Sequence, residues 1–187
     1  MNPHRTIGIA SAAGLLASVV AANWTTTHYG FIPVGFGLTA TAGTFAAGAA
    51  LALRDATQDT LGTAGMLTVV AVATALSYLI ADPSVAIASA AAFAVAELLN
   101  FAVYTPLRNR SKLGDRRWAA AVTSSSIAGA LADTAVFLGI AFGAAAILPA
   151  LAGQLVGKAW ATIIYLVIGK GAARAAVSRE PRQRISA

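Results

Sequence analysis

From Ile7 to Ile168 the chain runs through apolar stretches of about twenty residues, parted only by brief polar or proline-bearing connections. A stretch of that length crosses a hydrocarbon layer of about 30 Å as a helix rising ~1.5 Å per residue. Breaking the chain at charges, prolines and polar clusters places six spans, at 7–24, 34–53, 62–81, 84–104, 118–142 and 147–170. With 58% of its 187 residues hydrophobic and only 11% charged, a water-soluble domain would have too little interior to hide its apolar side chains. The sequence therefore predicts one all-α, polytopic membrane domain over 1–187, with a basic cytoplasmic tail at 171–187. The first run follows Arg5 in the manner of an export signal, but apolar runs continue to the sixth span, so it is counted as a retained helix.

Basic residues set the orientation. Arg5 precedes the first span and Arg54 follows the second. Arg108, Arg110, Lys112, Arg116 and Arg117 separate the fourth from the fifth, and Lys170, Arg174, Arg179, Arg182 and Arg184 follow the sixth. Twelve of the 13 basic residues thus share one side, and the thirteenth, Lys158, lies inside a span. Positive charge collects on the cytoplasmic face, which puts both termini there, requires an even number of spans and suits a multi-pass protein of the cytoplasmic (inner) membrane. The same placement argues against nucleic acid as a partner, because orientation and attraction to anionic membrane lipid account for the net charge of +6. With no cysteine and only the isolated His4 and His28, the chain has no disulfide, no evident metal site and no catalytic triad. Neither a cofactor nor an enzymatic activity is expected.

Ionisable groups inside spans are expensive and usually face a cavity or one another. Glu97, Asp133 and Lys158 are of this kind. Counting along the helices puts Asp133 and Lys158 both about 18–22 Å from the cytoplasmic edge and Glu97 about 12 Å from it. Asp133 and Lys158 can therefore face each other, either as a structural ion pair or as part of a solute site. Helical spacing gathers neutral polar groups beside them: Asn100 lies three residues from Glu97, Gln154 four from Lys158, Trp160 three from Gly157, and Ser126 seven from Asp133. Such a mixture suits a planar, hydrogen-bonding solute, with carboxylates taking N–H donors, amides reading mixed edges and the ammonium donating. Asn23 and Phe36, in an aromatic and glycine-rich stretch near the outer face, extend the candidate site as an aromatic-lined mouth or serve as interface anchors. At the cytoplasmic edge Arg54, Asp55 and Asp59 form a polar connection, either an ordinary turn or a gate latch with the loop that begins at Arg108.

Small residues dominate the spans, and Gly153 and Gly157 form a small-xxx-small pair suited to close helix packing. Such faces leave room for a homo-oligomer. Gly35-Phe36-Gly37 lacks the lysine and Ser/Thr of a phosphate-binding loop, so ATP hydrolysis by this chain is not expected and an energising partner is left open.

Ala96-Glu97-Leu98-Leu99-Asn100-Phe101, Tyr104-Thr105-Pro106-Leu107-Arg108, Ser126-Ile127-Ala128-Gly129, Asp133-Thr134-Ala135-Val136-Phe137 and Lys158 together resemble the vitamin uptake transporter family, also described as queuosine precursor transporters. Ala22-Asn23-Trp24, Gly35-Phe36-Gly37 and Arg54-Asp55 extend the resemblance to roughly residues 10–170. The resemblance implies a six-helix fold related to the substrate-binding subunits of energy-coupling-factor vitamin transporters. It also implies a solitary carrier and a 7-deazaguanine cargo, preQ0 or preQ1, moved inward. Asn100 stands where some members have aspartate, and Ala130 where some have asparagine; an amide in place of a carboxylate favours the neutral preQ0 as an expectation. A membrane sensor or structural protein would share the fold and the ion pair without moving solute, whereas an enzyme would need a catalytic cluster near an interface.

Overall fold

The computed structural model describes residues 3–108 and 116–179. Helix α1 (Pro3–Tyr29) leads into an antiparallel hairpin, β1 (Phe31–Gly35) and β2 (Leu38–Thr41). Four helices follow: α2 (Thr44–Ile80), α3 (Pro83–Arg108), α4 (Arg116–Phe142) and, after a short 3-10 turn, α5 (Ile147–Arg179).

At 37 residues α2 would extend about 55 Å if straight, nearly twice the hydrocarbon thickness. It is not straight. Gly62 breaks it at φ 73°, ψ 171°, a conformation that glycine adopts and L side chains avoid. Both ends of α2 come back to the last turn of α1: the Gly43 N–H donates to Thr26 Oγ1 at 3.1 Å, and the Asp82 N–H, just beyond α2, donates to Thr27 Oγ1 at 2.9 Å. The arms 44–61 and 63–80 therefore run in opposite directions, and the described residues form six helices. Thr6–Tyr29, Thr60–Ile80 and Ala144–Ala161 are plainly long and apolar enough to cross a bilayer, while Pro83–Leu99 and Ile127–Phe142 are shorter apolar stretches. The chain is an all-α, multi-pass membrane protein.

One span lies elsewhere than its sequence suggested. Residues 34–41 of the expected second helix belong to the hairpin, and the helix occupies 44–61 instead. Ile32, Val34, Thr39 and Thr41 are β-branched, and the two-residue turn Phe36-Gly37 has positive φ at both positions, the requirement of a type I′ turn. These local preferences override hydropathy, which does not distinguish a short apolar strand from part of a helix. As a result Arg54, Asp55 and Asp59 stand on a helix rather than in a connection, and Gly62 alone makes the turn. The basic segment expected from 171 begins as the continuation of α5 to Arg179.

Asp82 and Pro83 end one helix and begin the next. Asp82 Oδ1 accepts the Ser84 N–H at 2.8 Å and the Ser84 hydroxyl, an N-cap with proline at the first helical position. Those hydrogen bonds, from the Ser84 hydroxyl first and its N–H second, hold the exposed Asp82 carboxyl below its ordinary pKa.

The apolar core joins the first three helices. Leu15, Met66 and Val70 are buried together, with Val19, Ala50, Leu53 and Phe93 against them. In lipid this packing holds the helices by close fit rather than by exclusion of water. The hairpin is the exception to helical architecture, and its backbone survives in an apolar setting because it is paired and covered by protein. Val34, Ala40 and Thr41 are buried. Gly153 and Gly157 of α5 receive it: a Cβ on Gly153 would lie 1.8 Å from the Thr39 carbonyl oxygen, and one on Gly157 would lie 2.9 Å from Thr44 Cγ2 and 3.4 Å from Ala40 Cβ. The small-xxx-small pair thus accommodates a strand and the start of α2.

Candidate functional site

Beneath the hairpin, in the half of the bundle away from the basic face, α1, α2, α3, α4 and α5 surround a cavity. Asn23 and Thr26 enter from α1, Thr41 and Thr44 from the strand end and the start of α2, and Ser89 from α3. Asp133, Thr134 and Phe137 come from α4, with Gln154 and Lys158 from α5. The cavity encloses about 420 Å³ of space not filled by protein atoms, part of it open to the outside. Only about 60 Å³ admits the centre of a water molecule. The walls stand close together.

Two hydrogen-bonded clusters build the far wall. Lys158 Nζ pairs with Asp133 Oδ2, donates to Thr134 Oγ1 at 2.8 Å, and reaches the Ala130 carbonyl at 3.5 Å. The Thr134 hydroxyl in turn donates to the Ala130 carbonyl at 2.7 Å. One turn earlier on α5, Gln154 Oε1 accepts from Thr44 Oγ1 at 2.5 Å and its Nε2 donates to Thr41 Oγ1 at 2.8 Å; the two threonine hydroxyls are 3.1 Å apart. The second cluster fastens the hairpin to α5 directly over the cavity. Burial raises what these contacts matter, since each group would otherwise remain desolvated and unpaired.

Asn23 also lines the cavity. It is 2% exposed, and its Nδ2 has no hydrogen-bond partner. A buried amide donor left open in a polar cavity is a group awaiting an acceptor.

Of the residues singled out by sequence, the fold brings Asn23, Asp133, Gln154 and Lys158 together and leaves three elsewhere. Phe36 is at the hairpin tip, 82% exposed. Trp160, two residues beyond Lys158 on α5, does not line the cavity; its indole N–H donates to the Val34 carbonyl at 3.2 Å and steadies β1. Glu97 pairs with Arg54 between α3 and the first arm of α2, away from the cavity and toward the basic face. Its partner is thus the arginine assigned to a latch. The side chains of Asp55, Asp59, Asn100, Arg108 and Ser126 lie outside the described residues, as does the loop at 109–115 expected to meet Asp55 and Asp59.

Sequence reading missed Thr26, Thr41, Thr44, Ser89, Thr134 and Phe137. Thr26 follows Asn23 by three residues, a spacing that places both on one helical face and was available as a signal. Thr41 and Thr44 were hidden by the misplaced second span. Among the described residues no cluster of three or more His, Cys, Asp or Glu could hold a metal ion.

No curated protein and no solved structure matches the chain. A family profile described as "Putative vitamin uptake transporter" matches residues 31–172, which include the hairpin, the three clustered residues Asp133, Gln154 and Lys158, and the Arg54–Glu97 pair. That match covers 142 of 187 residues, from the first strand to the body of α5, and on it the chain belongs to the vitamin uptake transporter family.

Proposed function

We propose that this membrane protein carries a small, planar, neutral solute of vitamin or nucleobase type inward across the cytoplasmic membrane, with the cavity beneath the hairpin as its binding site. Membership in a transporter family supplies the class of activity. The observation that carries the site is a cavity whose lining includes a carboxylate, an ammonium, two amides and several hydroxyls, inside a bundle whose composition is otherwise apolar. Such groups are costly in a membrane and mark solute paths there. Phe137 gives the cavity a flat face against which a ring can lie. Asp133 and Lys158 carry opposite charges that cancel, which favours a neutral solute over an ion.

Within that class, the sequence resemblance nominates a 7-deazaguanine, with preQ0 ahead of the cationic preQ1. Its flat ring, N–H donors and carbonyl suit the donors and acceptors at hand. The placement of the two ion pairs supports a reading of alternating access. The cavity is in the outer half, and Arg54–Glu97 ties α2 to α3 on the inner side, so release to the cytoplasm requires that tie to part.

The test is uptake of labelled 7-deazaguanine, preQ0 and preQ1 into proteoliposomes, with wild type beside Asp133→Asn at matched insertion. Saturable uptake lost in the variant supports the reading. Binding without net movement would identify a sensor, and neither binding nor uptake of the three bases would remove this cargo class.

A further inference from the structure

We propose that Phe142 is a positioning residue for the solute: its ring backs the Phe137 ring in the cavity wall and braces it against Phe31 at the base of the hairpin. The fit of a flat solute then depends on the three rings together. The proposal rests on the reading of this cavity as the solute site, and it adds a residue that lies outside the cavity's own lining.

Among the described residues that line the cavity, Phe137 carries the only ring, and part of its surface faces open space. A benzyl side chain turns about two bonds, so a ring with space before it keeps its angle through contacts behind it. Phe142 supplies such a contact. Its ring meets that of Phe137 edge-on, with centroids 6.2 Å apart and planes at 74°, an arrangement in which aromatic pairs attract. Since Phe142 does not line the cavity, it touches Phe137 from outside.

Helix geometry alone does not bring these rings together, because residues five apart on a regular helix point about 140° away from each other. Phe142 is the last residue of α4, and Gly143, at φ 85°, takes the chain out of the helix immediately after it. With no further turn of α4 beyond it, the ring reaches Phe31 as well, with centroids 4.9 Å apart and planes at 54°. Phe31 opens β1 and pairs across the hairpin with Thr41, whose hydroxyl accepts from Gln154 in the cavity wall. The base of the hairpin is therefore held to the cavity twice: to α5 through Thr41 and Gln154, and to α4 through the row Phe31–Phe142–Phe137. The second route ends on the surface against which the solute's ring lies. Without the middle ring Phe137 is free to tilt, and a solute must order it on binding.

The experiment measures equilibrium binding of labelled 7-deazaguanine and preQ0 to the full-length protein in lipid nanodiscs, recording affinity, number of sites and melting temperature for each variant. Phe142→Leu, Phe31→Leu, the two combined, and the aromatic replacement Phe142→Tyr are compared with wild type. Phe36→Gly, at the exposed hairpin tip, is a control outside the row. Phe142→Leu is expected to weaken binding by about three- to tenfold with the number of sites unchanged, from the lost edge-on contact and the ordering of one freed side chain. Phe142→Tyr keeps the ring and stays within about twofold of wild type. Phe31→Leu weakens binding by a smaller factor, and the combined variant binds no more weakly than Phe142→Leu by itself, because Phe31 acts through Phe142. Phe36→Gly binds as wild type does.

A folded Phe142→Leu protein with wild-type affinity overturns the inference and leaves the cavity as the solute site. Fewer sites at unchanged affinity, or equal weakening in Phe142→Leu and Phe142→Tyr, overturns it too, since a structural role alone gives those results. If Phe142→Leu fails to fold, Phe31→Leu decides by the same comparison of affinity with site number. A wild type that binds neither base removes the reading on which the inference rests, and the inference with it.

Discussion

Gly153 is where the smallest chemical change should have a large effect. A methyl group there would meet the Thr39 carbonyl oxygen at 1.8 Å and its carbon at 2.6 Å. Reaching even 3.0 Å from that oxygen requires the hairpin and α5 to separate by at least 1.2 Å, and backbone faces backbone, so no side chain can rotate away. A displacement of that size stretches the 2.8 Å bond from Gln154 to Thr41 toward about 4 Å, outside hydrogen-bonding range. Two buried polar groups are then poorly paired, at about 1–3 kcal/mol each. We expect Gly153→Ala to destabilise the protein by about 3 kcal/mol, which at about 2–4 °C per kcal/mol lowers the melting temperature by about 6–12 °C. Gly157→Ala meets side-chain methyl groups at 2.9–3.5 Å that can yield, and should cost about 1 kcal/mol. Gly139→Ala has its nearest contact at 3.4 Å and should be neutral or slightly stabilising, since alanine favours helix. Melting of the three variants in detergent, followed by intrinsic fluorescence, gives the order directly. A Gly153→Ala protein that melts with Gly139→Ala would refute the packing of the hairpin on α5.

Other outcomes follow from the same contacts. Arg54→Met should destabilise by about 1–3 kcal/mol, because it strands a half-buried carboxylate, while Arg54→Met with Glu97→Leu should recover much of the loss; denaturation of the single and double variants checks this. Phe36→Gly should leave solute binding unchanged and raise stability by up to about 1 kcal/mol, since Phe36 holds φ 56° at an exposed tip; melting and binding on one sample separate the two effects. Asp82 has a folded-state pKa below its unfolded value of 3.8, so its cap contributes above that value and is lost as pH falls through the folded pKa. Acid titration of helicity should show Asp82→Asn with a shallower decline than wild type over that range.

Much of this architecture was legible in the sequence because lipid leaves few alternatives. A backbone in hydrocarbon must satisfy its own hydrogen bonds, so apolar runs of sufficient length become helices, and the six-helix count survives comparison with the structure. Asp133 and Lys158 were placed at one depth by counting residues, and they pair. Gln154 and Asn23 were also drawn to the cavity, the first by its spacing from Lys158. The hairpin was not legible by that method, because hydropathy weighs Ile32 and Val34 equally in a strand and a helix. Its signals were conformational: positive φ at Phe36 and Gly37, and a glycine on α5 opposite Thr39. Once the hairpin was taken for helix, Thr41 and Thr44 lost their place at the cavity. Glu97 meets a partner that the sequence did not show, for a different reason. Its depth was read correctly as shallower than Lys158, but the arginine that meets it comes from a segment expected to be a loop, and helix pairing across the bundle is not encoded in spacing along one helix.

The account stands on the cavity being where solute binds, and the absence of native cysteine makes that position directly measurable. Ser89→Cys places a thiol in the cavity wall, and Ala75→Cys places one in the apolar groove between the second arm of α2 and α3. The rate at which a small methanethiosulfonate reagent modifies each, with and without saturating solute, is the measurement. Slowing at Ser89→Cys alone, with the solute concentration for half protection matching that for half-maximal uptake, is the predicted result. Equal modification of Ser89→Cys with and without a solute that the variant still transports would place the binding site elsewhere and contradict the account.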